Sequence, residues 1–276
     1  AGYRVYRTAA AGDGVDTVSL LAEVAEPMFV DDGSAEPGDE TPMPPGSLGV
    51  WHTAGALNTP RAASAVLTAP AGGGDTFLYA FGGRDAGGAP LATYEVSRVT
   101  EVGGVPMVAP FIVGADRLGT ARSELGGWVL SGDDTAAIPA GETWIFVGPG
   151  RTAGNFSRAV EAGPVGPDGQ LGAVIATDSV NSDSAGYGYG AANGFLFVFG
   201  SRNGQPDDSG ISGELCVGVC GGGPPEPPDL RNWNNLGVRL TTPRAYMGST
   251  QESAFFFVVG GMGQGGPLTS TEQTVQ

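Results

Sequence analysis

Four short runs of aromatic and β-branched residues, each ending abruptly at glycine, dominate the hydrophobic pattern of this chain. They are Phe77-Leu78-Tyr79-Ala80-Phe81-Gly82-Gly83, Trp144-Ile145-Phe146-Val147-Gly148, Phe195-Leu196-Phe197-Val198-Phe199-Gly200 and Phe255-Phe256-Phe257-Val258-Val259-Gly260-Gly261. Unbroken apolar character predicts strands covered on both faces, as in a sheet stacked between two others, and the terminal glycine permits a sharp turn or a close backbone approach. After each run, across a polar Gly-rich turn, comes a more alternating strand: Leu91 to Val99, Asn155 to Ala162, Ser212 to Val219 and Leu268 to Val275. Further strands are predicted at Leu48 to Leu57, Val108 to Leu118, Leu171 to Val180 and Trp233 to Leu240. No stretch carries apolar residues at helical spacing over a useful length.

A second pattern fixes the period. Leu57-Asn58-Thr59-Pro60-Arg61, Leu118-Gly119-Thr120-Ala121-Arg122 and Leu240-Thr241-Thr242-Pro243-Arg244 share one form, and their arginines stand 61 and then 122 residues apart. A fourth copy is due near position 183, where Asp183 and Ser184 stand instead. Four repeats of four strands, with a glycine-terminated second strand, resemble the kelch family of β-propellers, whose repeat is about 50 residues. The resemblance covers roughly residues 48–276 and implies an all-β ring of four four-stranded blades. The strand series begins with an outer strand, Leu48 to Leu57, and ends one strand short, at Leu268 to Val275. The first strand is therefore expected to complete the last blade and close the ring.

Residues 1–46 fall outside the period and are expected to form a separate N-terminal β segment with a linker, ahead of a propeller at 47–276. Gly2-Tyr3-Arg4-Val5-Tyr6-Arg7 alternates like a half-exposed strand, Val18 to Val24 reads as a second, and Met28-Phe29-Val30-Asp31-Asp32-Gly33 as a third that ends in a turn. The first and last of these resemble the closing strands of a fibronectin type III domain. Gly33 to Gly46 is rich in Pro, Glu and Gly and reads as an extended linker.

Composition narrows the function. All 13 basic residues are arginine, against 29 acidic ones, for a net charge of −16. Nucleic acid is excluded as a partner, because phosphate binding needs a basic surface. No apolar run approaches the length of a membrane span. The chain starts at Ala1 without methionine, which reads as a processed chain or a piece of a longer one. Cys216 and Cys220, in Leu215-Cys216-Val217-Gly218-Val219-Cys220, favour a local disulfide over half a zinc site and hence an oxidising, extracellular or cell-surface setting.

Candidate chemistry is thin. Kelch-like propellers include copper oxidases resembling galactose oxidase, which would imply two histidine ligands; this chain has one histidine, His52, so no metal or cofactor is expected. The same count argues against a Ser-His-Asp triad. Paired carboxylates at Asp31-Asp32, Asp133-Asp134 and Asp207-Asp208 sit in turns, where capping is the ordinary role; they leave a carbohydrate-active hydrolase or lyase as the alternative reading. Asn155-Phe156-Ser157 is a formal glycosylation sequon. Arg61, Arg122 and Arg244 form the most regular charged set, suited either to an anionic ligand at one mouth of the ring or to bridging neighbouring sheets. The expectation is a non-enzymatic extracellular module that binds protein or glycan, with homo-oligomers or polymers among its partners.

Overall fold

The computed structural model describes residues 3–8, 18–26, 28–31, 34, 36, 38, 53–102, 105–216, 228 and 230–275. They fall into two units, Ala1–Ala54 with Thr100–Met107, and Gly55–Val99 with Val108–Gln276. In the first unit β1 (Tyr3–Thr8) pairs antiparallel with β2 (Val18–Val24), with a bulge between Val5 and Tyr6. Arg4 meets Glu23 at 2.8 Å and Arg7 meets Asp31 at 2.8 Å. The strand expected from Met28 does not form among the described residues, and Met28 and Val30 are exposed. Two apolar side chains with no facing sheet gain nothing from pairing there.

Every predicted apolar run becomes the second strand of its own antiparallel sheet. The first sheet orders β3 (Ala65–Pro70), β4 (Thr76–Phe81), β5 (Leu91–Val102) and β6 (Val105–Val108), with β7 (Ile112–Arg122) also paired to β5. The second is built from β8 (Gly127–Ser131) and β9 (Thr143–Val147), a two-residue ribbon β10 (Gly150–Arg151) and β11 (Phe156–Ser157), then β12 (Glu161–Pro164) and β13 (Ile175–Ala176); its order is β13-β12-β9-β8. The third runs β14 (Gly188–Ala192), β15 (Phe195–Phe199), β16 (Gly210–Leu215), β17 (Leu230–Asn235). In the fourth, β18 (Gly248–Glu252) and β19 (Phe255–Val259) are followed by the ribbon β20 (Met262–Gly263) and β21 (Gly266–Pro267) and by β22 (Thr271–Val275), which pairs with β19. The described residues contain no helix, and hence none able to cross a membrane. The arrangement is a four-bladed β-propeller.

The period of two along each second strand explains the unbroken apolar runs. In β9, Ile145 and Val147 pack with Tyr79, Phe81 and Tyr94 of the first blade, while Trp144 and Phe146 pack with Leu196 and Val198 of the third. In β15 the alternate residues Phe197 and Phe199 turn to the fourth blade, with ring centroids 5.1 and 5.6 Å from Phe256. Among the described residues the outward-turned positions of the end blades are less covered. On β19, Phe256 and Val258 are buried but Phe255 and Val259 are 46% and 50% exposed. On the first blade Val66 is 58% exposed.

The strand expected to complete the last blade is not seen there. Residues 48–52 lie outside the described ones; Thr53–Leu57 form no strand, and the fourth sheet has three strands among the described residues. Instead Gly55 N–H donates to Val108 O at 3.2 Å and Phe111 N–H to Ala56 O at 3.3 Å, so this stretch runs along the first blade. The pull is electrostatic: the buried Glu95 carboxylate accepts the N–H groups of Asn58 and Thr59 at 2.6 and 2.9 Å.

A second periodic feature joins the blades at the entrance to their inner strands. Ala63, Glu124, Gly186 and Tyr246 each stand two residues after a repeat-motif position and all have left-handed backbones, with φ of 54, 56, 64 and 53°. Glu124 N–H donates to Ala63 O at 2.8 Å, Gly186 N–H to Glu124 O at 2.9 Å, and Tyr246 N–H to Gly186 O at 2.5 Å. No fourth bond links Ala63 with Tyr246 among the described residues. A side chain at such a φ costs about 1–3 kcal/mol, so the ladder must outweigh strain at three non-glycine positions. At Gly186 a β carbon would also stand 2.4 Å from the Tyr246 ring. Gly186→Ala is expected to destabilise by about 2 kcal/mol, read as a lower urea midpoint at unchanged m-value, whereas Ala63→Gly should be neutral or stabilising.

Candidate functional site: buried clasps and an arginine-lined mouth

The three regular arginines are buried in ion pairs. Side chains of Arg61, Arg122 and Arg244 are 1%, 0% and 0% exposed, and each meets a glutamate of the third strand in the blade that follows it along the chain: Glu95, Glu161 and Glu272. Arg61 Nη2 lies 2.7 Å from Glu95 and Arg122 Nη2 2.5 Å from Glu161, and Arg244 Nη2 donates to Glu272. The glutamate in turn accepts backbone N–H groups ahead of its arginine: Asn58 and Thr59 on Glu95, Gly119 on Glu161, Thr241 and Thr242 on Glu272. Each unit is a clasp that fastens the loop entering a blade to that blade's third strand.

In the first and fourth blades the clasps share three further contacts, although Arg244 Nε donates to Thr242 O while buried Arg61 Nε has no partner among the described residues. Arg61 Nη1 donates to Gly82 O and Thr93 O, and Nη2 also reaches Thr93 Oγ1. Arg244 makes the same set with Gly260 O, Ser270 O and Ser270 Oγ. The second blade differs. Its glycine pair is Pro149-Gly150, not Gly148-Pro149 as the sequence suggests: a β carbon on Gly150 would meet Ser123 O at 2.6 Å, as one on Gly83 would meet Ala62 O at 2.8 Å. The carbonyl that should serve Arg122, Pro149 O, instead accepts the Tyr187 hydroxyl at 3.0 Å, and buried Arg122 Nη1 and Nε have no hydrogen-bond partner among the described residues. Burial raises the Tyr187 phenol far above its usual range, so it stays the donor.

In the third repeat Ser184 takes the arginine position. Ser201, in place of the second glycine, reaches Ala185 O with its hydroxyl, and Ile211, paired with Val198, takes the glutamate position. Arginine and glutamate are therefore lost together. That is the substitution an ion pair tolerates, since an unpartnered buried charge costs more than an apolar replacement of both.

Burial alone would raise the carboxyls of Glu95 and Glu272, but the N–H groups of Asn58 and Thr59 or of Thr241 and Thr242, with Arg61 or Arg244, bring both below the ordinary value of 4.5. A carboxyl depressed in the folded state stabilises it above that ordinary value, and the gain is lost as pH falls through and below it.

Of the nominated turn carboxylates, Asp133 is exposed and Asp31, Asp134, Asp207 and Asp208 are locally engaged. Asp134 accepts Ser131 N–H and hydroxyl at 2.7 and 2.8 Å, Asp207 accepts Ser209 N–H at 2.7 Å, Asp208 meets Arg239 at 2.6 Å and Asp31 meets Arg7. Asp32, His52 and Cys220 lie outside the described residues, and with them the expected Cys216–Cys220 pairing. Among the described residues no three His, Cys, Asp or Glu side chains gather as a metal site. Asn155 is exposed in the turn between β10 and β11.

A different arginine set, which the sequence reading missed, follows each glycine pair: Arg84, Arg151 and Arg202, with Met262 in the fourth repeat. Arg84, Arg151 and Met262 bridge by backbone to Ala62, Ser123 and Ala245, the residues just after the clasp arginines and just before the left-handed ladder. Arg84 meets Glu124 at 3.2 Å with its side chain 42% exposed, and the Tyr246 hydroxyl donates to the other Glu124 oxygen at 3.2 Å. Arg151 lies over the Phe156 ring at 5.7 Å. The set becomes legible only once Pro149-Gly150 is aligned with Gly82-Gly83.

Separately, a cavity of about 290 Å³ opens between the third and fourth blades, lined by Phe197, Phe199, Leu236, Phe256, Val258 and Glu272 among others.

Arg244→Ser should cost about 3–5 kcal/mol by stranding Glu272, while Arg244→Ser with Glu272→Ile, the pair found in the third repeat, should recover more than half of it in urea unfolding. The double variant should also lose less stability than the parent chain between pH 5 and about 3, because one depressed carboxyl is gone.

Neither protein-family models nor curated proteins yield a match to this chain.

Proposed function

We propose that this chain is an extracellular, non-enzymatic binding or structural module, kelch-like in its repeat, which contacts protein or glycan and takes part in a surface assembly. What carries the reading is the fourth blade. Each of the other three adds an outer strand to its third strand, whereas β22 has β19 on one side and no strand on the other among the described residues. Among the described residues its blade leaves Phe255 46%, Val259 50% and Val275 61% exposed, and the apolar cavity opens along the same edge. A bare edge beside an apolar face is the usual site of strand addition or subunit packing. The extracellular setting and the fibronectin type III-like origin of the first unit rest on the cysteine spacing and the N-terminal residues.

The hydrolase alternative needs two carboxyl groups about 5–10 Å apart across a cleft. Engagement of Asp134, Asp207 and Asp208 in turns and ion pairs speaks for the binding reading. Light scattering of the native particle should show a mass that rises with concentration, or capture of a protein or glycan partner. Val259→Glu with Val275→Glu should abolish either. A monomer at all concentrations with no partner, or release of reducing ends from a polysaccharide, would overturn the proposal.

A further inference from the structure

The chain holds 29 carboxylates and 13 arginines, so an arginine without a carboxylate partner is the unusual case. Nine arginines are ion-paired among the described residues. Of the described arginine side chains, Arg117, Arg151 and Arg202 meet no carboxylate there. Arg151 and Arg202 occupy equivalent repeat positions, and both are exposed.

The elements carrying them converge. A β carbon on Gly204, in the Arg202–Gln205 turn, would stand 2.9 Å from the Tyr246 hydroxyl and 3.2 Å from the Phe156 ring. Phe156 lies under Arg151, and Tyr246 bonds to Glu124, which orients Arg84. Arg84 and Arg151 both act on the Tyr246 phenol. Among the described residues Glu124 is the one carboxylate in direct contact with this cluster, and Asp183, whose carbonyl accepts Asn203 N–H, is paired with Arg158 at 2.7 Å. Arg84 meets Glu124, Arg151 lies over Phe156, and the turn that carries Arg202 abuts Phe156 and Tyr246, so three arginines gather around one glutamate on a chain of net charge −16.

We propose that this mouth binds a uronate, a sugar ring carrying a carboxylate, with Arg151, Arg202 and Arg84 gripping the carboxylate and Tyr246 and Phe156 offering the ring an aromatic platform. The guanidinium fork matches a carboxylate in two-pronged geometry. Exposure of 45% leaves the Tyr246 ring open to stacking, which a bare anion would not use. The strongly acidic remainder of the surface repels a densely charged polyanion, so the site suits a single carboxylate group. This inference rests on reading the propeller as a binding module and names one class of its ligands.

Calorimetric titration of the full chain tests it, with trigalacturonate as probe and galactotriose, an aspartate-containing tripeptide and inorganic sulfate as comparators. Trigalacturonate should bind, its affinity should fall at least about tenfold in Arg151→Leu and in Arg202→Leu, and Arg117→Leu should bind as the parent does. Exposed positions 151 and 202 leave the core untouched, and unchanged thermal unfolding verifies this. Equal loss with Arg117→Leu, no loss with Arg151→Leu and Arg202→Leu, or equal binding of galactotriose, the tripeptide or sulfate would each overturn the inference. If trigalacturonate fails to bind while Val259→Glu with Val275→Glu still abolishes assembly or partner capture, the uronate site falls and the binding-module reading stands.

Discussion

The buried arginine–glutamate clasp is the constraint on which the blades depend. Each charge is taken out of water, so each needs a carboxylate and further hydrogen bonds, and in the first blade these dictate the surrounding backbone: a glycine-ended second strand whose carbonyl faces the guanidinium, a hydroxyl two residues before the glutamate, and a loop whose N–H groups point at the carboxylate. Where one element changes, the rest follow. Tyr187 takes the Pro149 carbonyl and Arg122 keeps its glutamate as its one side-chain partner; in the third repeat the whole pair gives way to Ser184 and Ile211.

Stacking then builds on the clasps. Two apolar clusters, between the first and second and between the second and third blades, fill the junctions, and the third junction is half filled by Phe197, Phe199 and Phe256 beside an open cavity. The left-handed ladder follows the same sequence, with three bonds for four residues. Among the described residues the end faces of the stack are apolar and exposed, which suits them to meeting another molecule, while a second set of arginines, outside the clasps, gathers near the ladder and gives that end a different chemistry.

Much of this was legible in the residues. The four apolar runs, their glycine ends and the spacing of Arg61, Arg122 and Arg244 fix the blade count, because burial on both faces leaves a continuous pattern. Bridging rather than ligand binding by those arginines could be anticipated from Glu95 and Glu272, which recur at matching places. Glu161 was harder to see, since Pro149-Gly150 shifts the second repeat by one residue against the expected Gly148-Pro149. The same shift hid Arg84, Arg151 and Arg202, whose equivalence depends on it. The path of Gly55–Asn58 along the first blade was not legible at all: it is set by Glu95, a partner far away in sequence whose pull no local pattern records.

Native-state hydrogen exchange resolved to single amides is the most direct test of the clasp account. Thr59 and Thr242 lie in loops and Gly119 near the end of β7, yet their N–H groups end on the clasp carboxylates, so they should exchange as slowly as the amides of β4 and β9, through global opening alone. Ser182, at the matching place in the repeat without a clasp, should exchange orders of magnitude faster. Exchange of Thr59, Gly119 and Thr242 at the rate of Ser182 would contradict the claim that the clasps hold the blades together.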